Sequence, residues 1–78
     1  MKLTALNLPR EFSEQDLAEL FKAHGNIRAC TLIVDKETGK SKGFGFVEMA
    51  LDHEGEEAIK ALHGKKISKN KIRVKQVD

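Results

Sequence analysis

The segment KGFGFVEM at residues 42–49 carries the pattern that decides the fold. On a β-strand, successive side chains point to opposite faces, so Phe44 and Phe46 share one face with Lys42 and Glu48. The other face carries Gly43, Gly45, Val47 and Met49. Either the aromatic face is the buried one, or it is exposed and binds a ligand. The second interpretation is favoured because valine and methionine need burial more than lysine and glutamate do.

Length and composition fit one small domain. The chain has 78 residues, of which 40% are hydrophobic and 33% are charged. At this size about 60% of the unfolded chain's surface can be buried, which leaves no room for a second domain or a deep enzymatic cavity. No apolar run is long enough for a membrane span or a secretory signal. Because a small secreted domain normally has an even set of cysteines, the single Cys30 favours a cytoplasmic protein.

Charge is distributed unevenly although the net charge is only +2. Basic side chains crowd the C-terminal end, at Lys65, Lys66, Lys69, Lys71, Arg73 and Lys75, and precede the aromatic strand, at Lys36, Lys40 and Lys42. Acidic side chains lie in the two predicted helices, at Glu14, Asp16, Glu19, Glu54, Glu56 and Glu57. If strands and helices occupy opposite faces, the basic face would be oriented towards a polyanion.

Four strands are predicted from composition and alternation, at residues 3–8, 27–34, 42–49 and 71–75. The uneven spacing of Ile27, Cys30 and Leu32 predicts a bulge in the second strand. In the last strand, Ile72 and Val74 are predicted to point inward. Residues 35–41 are polar and are expected to form the loop between the second strand and the aromatic strand.

Two helices separate these strands. Ser13 and Asp16 have the spacing of a capping box at the start of the first helix, and Gly25 is predicted to end it. Asp52 is the predicted N-cap of the second helix, and Gly64 is predicted to close it. Each helix has one apolar stripe, which is enough to cover one side of a sheet.

The element order is therefore β-α-β-β-α-β. This order predicts an α+β fold, a ferredoxin-like sandwich in which two helices cover one face of a four-stranded antiparallel sheet. The other face stays open. Since the two helical stripes bury only one side, Phe44 and Phe46 are expected on the exposed side.

The whole chain resembles the RNA recognition motif family. Residues 42–49 match the family octapeptide K/R-G-F/Y-G/A-F-V-x-F/Y at every position but the last, where Met49 replaces an aromatic residue. Met49 points to the helix side, so this departure exchanges one large core side chain for another. Thr4 is the more serious departure, because the family usually offers a stacking aromatic residue there. Leu6 would add an aliphatic group to the open face.

The resemblance implies binding of single-stranded RNA, with single-stranded DNA as a second ligand, on the open face. By resemblance, Phe46 would stack under a base and Phe44 would pack against an adjacent sugar or base. Lys42, Arg73 and Lys75 would contact phosphates or base edges, and Gln76 would read a base. The candidate RNA-binding set is completed by Thr4, Asn7, Lys40 and Glu48. With no aromatic ring at Thr4, about two nucleotides are expected to be held firmly.

Two other function classes are a protein-interaction module and an enzyme. An aliphatic open face with Thr4, Leu6 and Ile33 would suit a protein-interaction or self-association module. An enzyme is not expected: Gly39-Lys-Ser41 imitates the end of a phosphate-binding loop, but Val34 occupies the position of its first glycine. The three histidines lack the spacing of a metal site, Cys30 is expected to be a small core residue, and no cofactor is expected. We expect a monomer whose residues 1–78 form a single RNA-recognition-motif domain.

Overall fold

The computed structural model describes residues 1–77 and forms a ferredoxin-like α+β sandwich, as predicted. Its elements are β1 (Lys2–Leu6), α1 (Glu14–Lys22), β2 (Ile27–Val34), β3 (Ser41–Met49), α2 (Asp52–Leu62), β4 (Lys66–Ile67), β5 (Asn70–Lys71) and β6 (Arg73–Gln76). Four of the strands form one antiparallel sheet in the order β2-β3-β1-β6, and β4 pairs with β5 in a separate hairpin. Asp78, which the predicted domain included, lies outside the described residues.

The core lies between the two helices and one face of the sheet. Helix α1 packs on β2 and β3, and α2 packs on β6 and β3. Alternation along β3 follows the prediction, because Gly43, Gly45, Val47 and Met49 are buried. The other buried core side chains are Leu3, Ala5, Leu8, Leu17, Phe21, Leu32, Ala58, Leu62, Ile72 and Val74. Burial of this apolar area is the main stabilising term for so small a domain.

Helix α1 starts as predicted but ends earlier. The Ser13 hydroxyl accepts a hydrogen bond from the backbone N–H of Asp16, and the Asp16 carboxylate accepts one from the backbone N–H of Ser13. The C-cap is Ala23, so the prediction that Gly25 is the cap was wrong. Gly25 is needed for packing instead: a β-carbon there would lie 2.5 Å from the Glu54 side chain.

Helix α2 begins one residue earlier than predicted, so the prediction that Asp52 is its N-cap was wrong. Its N-cap is Leu51, which has no side-chain cap hydrogen bond, and Asp52 is the first helical residue. The Asp52 carboxylate lies 3.6 Å from the α-ammonium of Met1, and it also lies at the positive end of the helix dipole. Asp52 therefore stabilises the start of α2 by its charge and not as a cap.

The predicted last strand is divided in two, and a short hairpin precedes it. Lys66–Ile67 pairs with Asn70–Lys71, whereas the sheet contains only Arg73–Gln76. Ile72 and Val74 are buried, as predicted. Asn7, with a φ of 60°, donates its side-chain N–H to the carbonyl oxygen of Lys71 at 2.9 Å, and the Asn70 side chain donates to the carbonyl oxygen of Asn7 at 3.2 Å. These bonds hold the hairpin against the end of β1.

The predicted bulge in β2 is present. The register with β3 shifts between Ile27 and Ala29, and it shifts again between Leu32 and Val34. Between the shifts the two strands are in close contact at Gly45, where a β-carbon would lie 2.6 Å from the carbonyl oxygen of Thr31. Glycine at this position lets β2 and α1 approach β3 closely.

Candidate nucleic-acid interface

The open face of the sheet is a grid of side chains fixed by the strand register. Phe46 lies at its centre, opposite Thr31 on β2 and Thr4 on β1, and Thr4 in turn lies opposite Lys75 on β6. We call these four residues the central row. Because neighbouring strands are about 4.8 Å apart, the central row runs across the full width of the sheet.

Two flanking rows complete this grid. On one side, Phe44 lies opposite Leu6, which lies opposite Arg73. On the other side, Glu48 lies opposite Lys2 on β1 and Ala29 on β2. Each flanking row is about 6.8 Å from the central row, the distance spanned by two residues of a strand.

The two phenylalanine rings lie close together on this grid. Their centroids are 6.2 Å apart and their planes meet at 89°, a T-shaped arrangement. Phe46 is 42% exposed, whereas Phe44 is half-buried. Because the rings are perpendicular, a flat group stacked on the Phe46 ring meets the Phe44 ring at a steep angle. The pair therefore offers one stacking platform and one lateral contact.

Thr4 lies on the open face but is only 8% exposed. Its hydroxyl donates a hydrogen bond to the carbonyl oxygen of Gly45 at 3.2 Å. The hydroxyl is thereby satisfied within the sheet. Consequently Thr4 offers little surface of its own, and the space above it belongs to its neighbours Phe46 and Lys75.

The basic side chains of the predicted set are exposed at the edges of the grid. Arg73 and Lys75 are on β6, and Lys42 is at the start of β3. Within residues 1–77 none of these three forms a salt bridge. Their cationic groups are therefore available to an anionic ligand, while exposed acidic side chains lie on the helices at Glu14, Asp16, Glu19, Glu56 and Glu57.

Three further residues of the predicted set lie outside the grid. Gln76 pairs with Leu3, a core residue, so it lies on the opposite side of β6 from Arg73 and Lys75. The Asn7 side chain lies beyond the end of β1 and is engaged with the carbonyl oxygen of Lys71. Lys40 is exposed at the end of the β2–β3 loop.

A shallow cavity of about 410 Å³ lies beside Phe46, and sequence reasoning did not foresee it. Its walls include Lys2, Ala29, Glu48 and Val77. Only Glu48 of these belonged to the predicted set. Locating the others requires the register between neighbouring strands. Alternation within one strand does not give this information.

A second cavity, of about 730 Å³, lies where β1 meets the β4–β5 hairpin. Its lining includes Asn7, His63, Lys71 and Arg73. The His63 ring nitrogen Nδ1 accepts a hydrogen bond from the backbone N–H of Val74 at 3.2 Å. His63 therefore holds β6 against the end of α2.

The described side chains are arranged for neither metal binding nor thiol chemistry. In the part of the chain that the structure describes, no three His, Cys, Asp or Glu side chains are placed to hold a metal ion. No helix of residues 1–77 is long and apolar enough to cross a membrane. Cys30 is half-buried, with its Sγ 3.7 Å from the carbonyl oxygen of Glu14. Burial, followed by the negative charge of Glu14, raises the pKa of the Cys30 thiol, and a thiol of raised pKa is a poor nucleophile.

Comparison with known proteins gives consistent matches. The family model described as RNA recognition motif matches residues 6–73. The 28 kDa chloroplastic ribonucleoprotein of Spinacia oleracea is 40% identical over 68 residues, which are 87% of this chain and 29% of that protein. The chain thus spans less than a third of that relative's length.

Two solved structures are similar over nearly the whole chain. The crystal structure of RNA binding protein PG1 superposes with a TM-score of 0.93 at 35% identity, covering 99% of this chain and 93% of that one. The structure of the Sxl-lethal protein/RNA complex has a TM-score of 0.93 at 30% identity, covering 99% of this chain and 46% of that one.

Proposed function

Because the chain belongs to the RNA recognition motif family, we propose that it binds single-stranded RNA across the open face of its sheet. The observation that carries this proposal is the exposure of Phe46, an apolar ring left 42% exposed at the centre of a sheet face that no helix covers. A small domain gains stability by burying such a ring. Its exposure is therefore explained by a ligand that covers it.

In the proposed complex, one base stacks on Phe46 and the neighbouring sugar or base packs against Phe44. The T-shaped arrangement supports this division, because one flat base cannot lie parallel to both rings. Stacking on an aromatic side chain is worth about 1–3 kcal/mol per base. Since Thr4 replaces a third ring, we propose that about two nucleotides are held firmly.

Charged contacts would fix the backbone of the RNA. We propose that Lys42, Arg73 and Lys75 contact phosphates or base edges, because they border the two rings and have no acidic partner within residues 1–77. Lys40 would add to this positive field from its loop. Gln76 and Asn7 are the weaker members of the set, and at Gln76 the backbone next to Lys75 is the part nearest to the ligand.

The remaining expectations are part of the same proposal. Single-stranded DNA would bind by the same stacking, which does not use the ribose 2′-hydroxyl. Residues 1–78 would act as one monomeric binding domain without catalytic activity of its own. Cys30, the single thiol, supports a reducing compartment such as the cytoplasm.

An NMR titration with a pool of randomised short RNAs tests this function. Shifts are expected on β1, β3 and β6 and not on α1 and α2. In a parallel affinity measurement, Phe46→Ala should weaken binding by about 5- to 150-fold. Leu51→Ala is the matched control, because Leu51 is an equally exposed apolar side chain outside the sheet. Shifts confined to the helices, or equal affinity of the two variants, would refute the proposal.

Self-association through the same face is the alternative. It relied on an aliphatic surface at Thr4, Leu6 and Ile33, but Thr4 is buried and Leu6 and Ile33 are each partly covered, so this surface is smaller than expected. Sedimentation equilibrium without RNA distinguishes the two. A monomer is expected, whereas a dimer that dissociates in Phe44→Ala would support the alternative.

A further inference from the structure

We infer that Glu48 and the cavity beside Phe46 select a guanine base and disfavour uracil. This inference rests on the proposed function and adds a base specificity to it. We call this feature the Glu48 cavity; it is lined by Lys2, Ala29, Thr31, Phe46, Val47, Glu48 and Val77.

Glu48 is positioned to reach a base that stacks on Phe46. Glu48 follows Phe46 by two residues on β3, so both side chains lie on the open face about 6.8 Å apart along the strand. A base stacked on the Phe46 ring and displaced towards Glu48 enters the cavity. Its edge then faces the carboxylate.

The Glu48 cavity has enough space for a base. Ala29 lies opposite Glu48 on β2 and has the smallest side chain of the grid, which leaves an opening beside the Phe46 ring. The cavity volume of about 410 Å³ is ample for one purine base. A larger side chain at Ala29 would fill it.

The Glu48 carboxylate is able to accept hydrogen bonds from a ligand. Within residues 1–77 Glu48 forms an ion pair with Arg28, whose Nε lies 3.9 Å from one Glu48 oxygen, beyond hydrogen-bond distance. Arg28 is largely exposed, and an ion pair of this kind contributes little. Both carboxylate oxygens therefore keep capacity to accept hydrogen bonds from a ligand.

The Glu48 carboxylate is more complementary to guanine than to the other bases. An ionised carboxylate only accepts hydrogen bonds. Guanine presents two adjacent donors on its Watson–Crick edge, N1–H and the N2 amino group, which a carboxylate can accept together. Uracil presents one donor, N3–H, between two carbonyl oxygens that the carboxylate repels. Adenine and cytosine each present one amino group and rank between these two bases.

The test uses fluorescence anisotropy with hexauridylate and with the same RNA carrying one guanosine at each internal position in turn. The best guanosine position should bind at least about 5-fold tighter than hexauridylate. Replacing that guanosine by inosine removes only the N2 amino group and keeps the purine stacking. Affinity should then fall by about 10-fold, as for loss of a hydrogen bond to a charged group.

Variants separate Glu48 from general charge effects. In Glu48→Gln the ratio of guanosine to inosine affinity should fall below about 2-fold, because an amide oxygen and an amide N–H replace two acceptors. Glu57→Gln, which removes the same charge from an exposed position on α2, should keep the wild-type ratio. Ala29→Leu should also lose the preference by filling the cavity, while it keeps binding to hexauridylate.

The outcomes distinguish the two levels of the proposal. If the wild type binds these RNAs but the guanosine-to-inosine ratio is near one, or if Glu48→Gln keeps the wild-type ratio, the inference about Glu48 is wrong and RNA binding stands. If the wild type binds none of the RNAs, RNA binding and the inference both fail. Thermal unfolding of each variant verifies folding, which is expected because neither Glu48 nor Ala29 is a core residue.

Discussion

Thr4 lies directly opposite Phe46 on the neighbouring strand, and its hydroxyl is bonded to the carbonyl oxygen of Gly45, the residue before Phe46. The central row therefore has one large ring and, beside it, a small side chain that makes its hydrogen bond within the sheet. Thr4 lies between Phe46 and Lys75 and is only 8% exposed. The small side chain at this position explains why the open face has only one well-exposed ring.

Placing a ring at Thr4 is expected to extend the stacking surface. Thr4→Phe should raise affinity for single-stranded RNA by about 5-fold or more, because one additional base can stack. The lost hydroxyl bond should lower the free energy of unfolding by about 1 kcal/mol. Thr4→Val removes the hydroxyl without adding a ring. It should show the same loss of stability and unchanged affinity, and a gain of affinity in Thr4→Val would contradict the explanation.

Gly45 is expected to be the glycine of β3 least tolerant of substitution. A β-carbon would lie 2.6 Å from the Thr31 carbonyl oxygen and 2.8 Å from Leu17 Cδ2, and the backbone oxygen cannot move away. Gly45→Ala should lower the free energy of unfolding by about 3 kcal/mol. Gly39→Ala is the comparison, because open space surrounds Gly39 and only its φ of 72° is unfavourable, at about 1 kcal/mol. Urea unfolding of both variants measures the difference, and equal losses would refute the packing argument.

Lys75 is expected to contribute to the salt dependence of RNA binding. Each phosphate neutralised by a protein cation steepens the slope of log affinity against log salt by about 0.7 for a single strand. Lys75→Gln should therefore reduce the slope by about this amount. Lys60→Gln, an exposed charge change on α2, should leave the slope unchanged. If both variants change the slope equally, the effect comes from net charge and not from a contact at Lys75.

Cys30 is expected to make stability depend on alkaline pH. Its pKa is raised in the folded protein, first by burial and then by Glu14, so the unfolded chain loses the thiol proton at lower pH than the folded chain does. The free energy of unfolding should be unaffected below the unfolded thiol's pKa, about 8.5, and should fall as pH rises through the folded value. Urea unfolding at several pH values measures this fall. Cys30→Ala should lack this component, and parallel pH profiles for both proteins would contradict the prediction.

Alternation and capping made much of this fold predictable. The buried and exposed faces of β3 follow from the parity of Phe44, Phe46 and Val47, because a one-residue shift would expose the entire core set. The capping box at Ser13 is equally local, since both hydrogen bonds join residues three apart. Both features depend on neighbours in sequence and were predicted correctly, whereas the caps predicted at Gly25 and Asp52 were wrong.

Features that depend on distant partners were missed. The β4–β5 hairpin has strands of two residues, too short for any periodicity, and its turn at Ser68 lacks an Asn-Gly or Asp-Gly signal. The burial of Thr4 depends on residues of two other strands. Likewise, the Glu48 cavity depends on the register of β2 with β3, which places Ala29 opposite Glu48. Sequence reasoning therefore located the ring at Phe46 but not the shape of the surface around it.

The strand order has a consequence for how this domain is made. Strand β1 is the first to be synthesised, yet it lies inside the sheet between β3 and β6, the last strand. Contacts that join the two ends of a chain form late and slow the folding reaction. On the ribosome, the surface around Phe46 would remain incomplete until Arg73–Gln76 has emerged. A nascent chain would therefore complete this surface only after the whole domain has been synthesised.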